Sequence, residues 1–234
     1  MYANSRPISS RQIAPHVRLR EVVLRHLDAD WQRQPSAPGR AAFEALSPRM
    51  SHPRLILDAG CGTGGSTFAL AQLHPGALVL GVDKSAPRLA VGQRSIGAGA
   101  APPNAVLVRC DIVDFWQLAA RAQLRCERQF LLYPNPWPKA AHLMRRWHAH
   151  PVLPSILALG GTIELRTNWR VYAEEFAAAL RLCSAAVELA GFAADAPLTP
   201  FEHKFAASGH ALWRCRAVVD GLQFPAAAGR PASA

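Results

Sequence analysis

Short apolar runs separated by stretches of helical period set the expected architecture of this chain. Residues 55–57, 77–82, 106–108, 129–133 and 162–166 are apolar runs bounded by turn residues, as strands buried on both faces are. Between them, residues 67–73, 87–94 and 115–121 carry helical spacing, residues 140–159 read as helical with interrupting prolines, and residues 172–189 predict one long helix. Strands alternating with helices imply an α/β fold class: a mostly parallel sheet with helices on both faces. The end breaks this rhythm. RCRAVVD, residues 214–220, is expected to return as an antiparallel last strand.

Residues 16–27, HVRLREVVLRHL, space Val17, Leu19, Val22, Val23, Leu24 and Leu27 among basic positions and predict a basic amphipathic helix appended to the main domain. QPSAPGR (34–40) reads as a linker by composition, and GAGAAPPN (97–104) as flexible. The terminal PAAAGRPASA is low-complexity and expected to be disordered. These readings divide the chain into a basic extension over 1–50, a main domain over 51–222 and a tail over 223–234. Half of the 234 residues are hydrophobic, which gives such a domain a sizeable core without covalent staples.

The formal charge of +10 changes the picture once it is divided along the chain. Residues 1–54 carry nine arginines against four acids, and residues 116–150 carry six basic residues against one acid, so each segment holds +5. The remaining segments balance, four against four over 55–115 and seven against seven over 151–234. Clustered cations of this kind favour a polyanionic partner such as nucleic acid, although a coding bias toward arginine also raises a basic count. The five cysteines (Cys61, Cys110, Cys126, Cys183, Cys215) are odd in number and form no C-x-x-C pair, which argues against a disulfide framework or a zinc ribbon. A reducing, cytoplasmic setting is expected. The N-terminus lacks an apolar signal core, and the apolar stretch 151–163 is broken by Pro154 and too short to span a bilayer.

Candidate chemistry begins at LILDAGCGTGGS, residues 55–66. Gly60, Gly62 and Gly65 spell the G-x-G-x-x-G of a dinucleotide turn, whereas Gly60, Gly62 and Gly64 spell G-x-G-x-G. Acids at successive strand ends bear on the choice, because open parallel sheets bind ligands at the carboxyl ends of their strands. Asp83, about twenty residues beyond the glycines, can accept both hydrogen bonds of a ribose diol. Asp58, at the first strand end, would repel a pyrophosphate but favour the cationic amino and sulfonium groups of S-adenosylmethionine. Asp111, after the third strand, would lie near the adenine. Asp58, Gly60, Gly62, Gly64, Asp83 and Asp111 are therefore read as binding S-adenosylmethionine.

LLYPNPWPKAAHLMRRWHAHP, residues 131–151, follows the fourth strand. Here the chain resembles bacterial tRNA (guanine-N7)-methyltransferases, whose corresponding stretch runs approximately F-P-D-P-W-x-K-x-R-H-x-K-R-R; Pro134, Pro136, Trp137, Lys139, His142, Arg145 and Arg146 match it. RTNWRVYAEEF (166–176) is similar to the family's T-D-W-x-x-Y-A, and LTPFEHKFAASGH (198–210) to its T-x-F-E-x-[KR] with a following G-H. The resemblance covers about residues 50–216. It implies a Rossmann-like class I methyltransferase fold with a seven-stranded sheet, S-adenosylmethionine as methyl donor, and tRNA as the partner. It also implies that Asn135 is the catalytic residue, contacting the cofactor and positioning the target base beside it, with Lys139, Asn168, Thr199 and Glu202 as further substrate contacts.

Two positions depart from the pattern: the acids of P-D-P-W and T-D-W are Asn135 and Asn168 here. Two other readings therefore stand beside the first. NPWP loosely resembles the N-P-P-Y motif of methyltransferases acting on exocyclic amines, and the double loss of charge would suit a catalytically impaired homologue that binds cofactor and RNA. His142, Arg145 and Arg146, spaced i, i+3, i+4, are read as a phosphate cradle on one helical face, with a solvated surface face as the alternative. Trp137 and Trp169 are read either as base-stacking or as packing residues. His148 and His150 lack ligands at metal spacing, so no metal is expected. The sequence leaves the oligomeric state open, with a monomer favoured.

Overall fold

The structure is a computed structural model that describes residues 4–29, 31–183 and 185–219. The low-complexity tail lies outside the described residues. One seven-stranded sheet contains β1 (Leu55–Ala59), β2 (Leu78–Asp83), β3 (Ala105–Arg109), β4 (Arg128–Leu132), β5 (Thr162–Thr167), β6 (Val187–Phe192) and β7 (Leu212–Val218). Their order is β3-β2-β1-β4-β5-β7-β6, with β7 antiparallel to both β5 and β6 and the other pairs parallel. From β1 the chain builds outward to β3, then turns back to place β4 on the opposite side of β1. A crevice opens at the carboxyl ends of strands where such a reversal occurs.

The period-two alternation of the strands assigns the two faces. Leu55 and Leu57 of β1, with Leu78, Leu80 and Val82 of β2, belong to the larger core, while Ile56 and Val79 belong to a second core on the other face. The larger core is covered by α1 (Leu19–Asp28), α2 (Ala37–Leu46), α5 (Ile112–Arg121), α6 (Leu153–Ala158) and α7 (Arg170–Leu182). The other face is covered by α3 (Gly65–Leu73) and α4 (Ala86–Gly97), which contribute Leu70 and Leu89 to smaller clusters. A short α8 (Pro200–Ala207) precedes β7. The α/β fold class and the antiparallel last strand are as the sequence predicts.

Three local expectations are corrected. The helix expected over 172–189 ends at Leu182, and its last three positions, 187–189, lie instead in the edge strand β6. The alanine-rich run keeps a helical look, but β7 needs a partner for its outer row of N–H and C=O groups, and Val187–Phe192 supplies it. The helical stretch expected over 140–159 is two 3-10 turns, Ala140–Arg145 and Trp147–Ala149, and then α6. Pro151 and Pro154 deny it a continuous hydrogen-bond ladder. The segment expected as a linker at 34–40 contains the start of α2, where the Ser36 side chain accepts a hydrogen bond from the Gly39 N–H and donates one to Asp114 of α5 at 2.6 Å. α1 lies in the main core, burying Leu19, Val22, Val23 and Leu27 against α7 and the 147–149 turn. Among the described residues no helix is long and apolar enough to cross a membrane.

Candidate active site

A cleft of about 1110 Å³ lies at the carboxyl ends of β1, β2 and β4. Its first wall is the glycine loop. Gly60, Gly62 and Gly64 all have positive φ (83°, 60° and 86°), whereas Gly65 does not and begins α3. A Cβ at Gly64 would come within 2.7 Å of the Leu107 side chain; one at Gly65 would meet nothing within 4 Å. The backbone therefore requires glycine in the G-x-G-x-G pattern, and Gly65 makes no close approach to the sheet, contrary to the packing role a dinucleotide turn gives its third glycine. Gly60 and Gly62 line the cleft; Gly64 is buried behind them.

The three acids occupy different depths. Asp83 lines the cleft, and its carboxylate accepts the Gly62 N–H at 3.0 Å and the Ser85 N–H at 2.7 Å, which ties β2 to the glycine loop. Asp111 also lines the cleft and caps α5 by accepting the Val113 N–H at 2.9 Å. Asp58 sits behind the wall rather than on it, fully buried, and accepts hydrogen bonds from Ser66 Oγ (2.6 Å) and Thr67 Oγ1 (2.7 Å). Burial pushes its pKa up to about 6 against the two hydroxyl bonds, with the charge of Asp83 adding to the rise.

The opposite wall is the segment leaving β4. Tyr133 and Trp137, at φ 52° and 45°, bracket Pro134-Asn135-Pro136, so two bulky residues hold left-handed backbone on either side of an exposed asparagine. Such strain persists only where surrounding contacts fix it. At Trp137 Arg146 supplies those contacts: its guanidinium donates to the carbonyls of Trp137 (3.0 Å) and Lys139 (3.2 Å), to Gln12 Oε1 (2.9 Å), and to Glu175 Oε2 (2.5 Å). Glu175, on α7, also accepts from His148 Nε2 at 2.9 Å, from Gln12 Nε2 at 2.7 Å and from the His16 N–H at 2.8 Å. Burial acts to raise the Glu175 pKa, but the hydrogen bonds and charge of His148 and Arg146 outweigh it and hold it at about 2.

This network corrects the phosphate cradle. Arg146 is fully buried and serves the loop from behind, so it cannot meet an RNA backbone. His142 and Arg145 lie on a 3-10 turn rather than an α-helical face; Arg145 is exposed, lines the cleft and stacks over the Trp137 ring at 4.6 Å. Lys139 is exposed beyond the cleft wall, and Trp169 is buried under the Arg146 guanidinium, which makes it a packing residue. His148 is accounted for by Glu175; among the described residues no group of His, Cys, Asp or Glu is placed to hold a metal.

The last wall combines Asn168, after β5, with α8. Asn168 donates from Nδ2 to His210 Nδ1 at 3.0 Å, leaving His210 Nε2 to donate to the Ser5 carbonyl at 3.0 Å. Thr199 lines the cleft and caps α8 by accepting the Glu202 N–H at 2.9 Å. Glu202 is a second correction: it is fully buried, paired with Arg166 at 2.8 Å, and does not face the cleft. Arg166 in turn bonds Glu164, which also holds Arg216. Sequence reasoning missed Arg6 and Ile8, cleft residues from an N-terminal segment with no element pattern, and Phe201 and Phe205, whose signal lay inside the LTPFEHKF motif.

Comparisons with known proteins agree with this architecture. A family model for methyltransferases (Methyltransf_4) matches residues 52–215. The chain is 31% identical over 223 residues to the tRNA (guanine-N(7)-)-methyltransferase of Leifsonia xyli, covering 86% of this chain and 95% of that one. It is 30% identical over 198 residues to the enzyme of the same name from Sodalis glossinidius, covering 80% and 78%. A solved 16S rRNA (adenine(1408)-N(1))-methyltransferase from Catenulisporales acidiphilia, with cosubstrate SAM, shares the fold at a TM-score of 0.53 and 19% identity, over 75% of this chain and 90% of that chain.

Two measurements check the site's construction. Gly64→Ala is expected to lower stability by about 1–3 kcal/mol through its left-handed φ and the Leu107 contact, while Gly65→Ala stays neutral or gains about 0.5–1 kcal/mol; urea unfolding of both reads the difference. Equal losses would restore a packing role to Gly65. Glu175→Gln is expected to cost about 3–5 kcal/mol at pH 7, the scale for breaking a buried pair. Because the folded pKa of Glu175 lies below its ordinary 4.5, its stabilisation is present above about pH 4.5 and lost as pH falls through about 2. The variant is expected to lack that part of the acid limb.

Proposed function

The chain belongs to the tRNA (guanine-N7)-methyltransferase family, and from this premise we propose that it transfers a methyl group from S-adenosylmethionine to N7 of a guanine in tRNA. The observation that carries the reading is the meeting, across one cleft, of a G-x-G-x-G loop tied to Asp83 and the strained Pro134–Trp137 segment with Asn135 at its tip. The fit to the cofactor is testable on the loop itself. A side chain at Gly60 or Gly62 would enter open space in the cleft, so the two glycines leave a cradle that any Cβ would narrow. S-adenosylmethionine supplies the methyl group, carried on a cationic sulfonium.

The residues divide the work. Asp83 keeps lone pairs free for a ribose diol after accepting its two backbone N–H bonds, and Asp111 stands at the adenine end. Asp58, behind the wall, contributes a negative field to a cationic ligand rather than a direct contact. Asn135 positions the target base, with Asn168 and Thr199 beside it and Lys139 further out. Arg145 and His142, together with the basic segment 1–50, meet the RNA backbone, while residues 51–222 carry out the transfer. Guanine N7 presents an exposed, unprotonated lone pair, so no general base is required. What the site supplies is positioning and electrostatics. The purine ring gains positive charge as N7 is alkylated, and a carboxylate at position 135 would stabilise it more than the amide does.

Incubating the protein with unmodified tRNA and tritiated cofactor, followed by nucleoside analysis, is expected to yield N7-methylguanosine, with KM for tRNA rising steeply with salt. A methylated exocyclic amine, or cofactor binding without product, would overturn the reading. Asn135→Asp is expected to raise kcat by about tenfold, the rate equivalent of replacing a neutral hydrogen bond by a charge-assisted one.

A further inference from the structure

Of the large apolar side chains exposed among the described residues, Phe201 alone lines the cleft, with 51% of its surface open. It stands near the start of α8, two residues after Thr199. Its ring lies at 25° to that of Phe205, with centroids 6.1 Å apart, and Phe205 lies at 16° to His210 at 5.3 Å. His210 is fixed at the far end by Asn168 and by the Ser5 carbonyl. Three rings thus form a column that is anchored by hydrogen bonds at one end and ends in the cleft at the other.

We propose that Phe201 is a stacking platform for a purine base of the RNA substrate, which extends the ring column by one member; this rests on the function proposed above. A half-open phenyl ring leaves apolar surface in water, and a nucleobase covers such a surface with a flat π face of matching size. Thr199 and Asn168, which line the cleft with Phe201, carry polar groups suited to the edges of a base. Stacking is indifferent to charge. It therefore suits a site in which the two positions that carry acids in the family motifs, 135 and 168, hold neutral amides: the base is gripped by its face where its edges lack charged partners. The anchoring of His210 keeps Phe205, and through it Phe201, from turning away when the cleft is empty, so the platform is preorganised.

The test compares Phe201→Leu, which keeps apolar bulk without a π face, with Phe201→Tyr and Phe201→Trp, which keep the ring. Exposure at this position spares the fold in all three. Filter binding of unmodified tRNA is expected to show Kd raised about tenfold in Phe201→Leu and within about twofold of the parent in the aromatic variants. Affinity for S-adenosylmethionine by calorimetry is expected to stay constant. The slope of log Kd against log salt is also expected to stay constant, because stacking releases no counterions. Parental binding by Phe201→Leu, equal losses in Leu and Tyr variants, or a flattened salt slope that assigns the loss to a phosphate contact would each overturn the platform. A parent chain that binds tRNA but forms no N7-methylguanosine overturns the function, while the Kd series still decides the platform. A chain that binds no RNA overturns both.

Discussion

The buried carboxylate of Glu175 is the constraint on which the cleft depends. An unpaired charge in that position would cost several kcal/mol, and it is tolerated because four donors from two segments, Gln12 and His16 on one and Arg146 and His148 on the other, converge on its two oxygens. Through Arg146 the constraint reaches the carbonyls of Trp137 and Lys139, and so the left-handed backbone beside Asn135. Through Gln12 and His16 it reaches the N-terminal segment that brings Arg6 to the cleft. The sheet fixes the floor of the site. This one side chain fixes two of its walls relative to each other.

What the sequence made legible was what depends on local signals. Apolar runs identified the parallel strands, and glycines with an acid nearby identified the loop, because positive φ and strand burial are demands that individual positions make. What depends on distant partners was hidden. Nothing local marks the end of α7 at Leu182, since the alanines beyond it remain good helix formers; the unpaired edge of β7 turns the chain into β6 instead. Arg146 stands in a run of charge that looks solvated, and only Glu175, 29 positions later, draws it inside. Glu202 is drawn inside by Arg166 in the same way. Arg6 lies in a segment without periodicity, so its place at the cleft could come only from the folded chain.

The acids of the cleft are graded in depth. Asp83 and Asp111 face outward with both charge and hydrogen-bonding capacity, whereas Asp58 is satisfied by two hydroxyls that do not neutralise it. Burial lifts its pKa to about 6. A cation arriving in the cleft therefore meets a carboxylate whose ionisation it can itself promote, and ligand charge and protein charge become coupled. On the β4 side the polarity is different: Asn135 and Asn168 present dipoles, and the exposed cation of Arg145 lies over Trp137. Attraction for a positively charged ligand is thus confined to one end of the cleft.

The bonds from Ser5 to Ser208 and His210 join positions 203 and 205 residues apart. During synthesis the first of these residues leaves the ribosome long before the last. The larger part of the sheet can form earlier, and Gln12 and His16 can then fasten to Glu175, but the Ser5 end of the segment that carries Arg6 lacks its two bonds until Ser208 and His210 are in place. Completion of the site is therefore tied to the arrival of residues 208–210, and a product that stops before them carries the glycine loop without the latch on the opposite side.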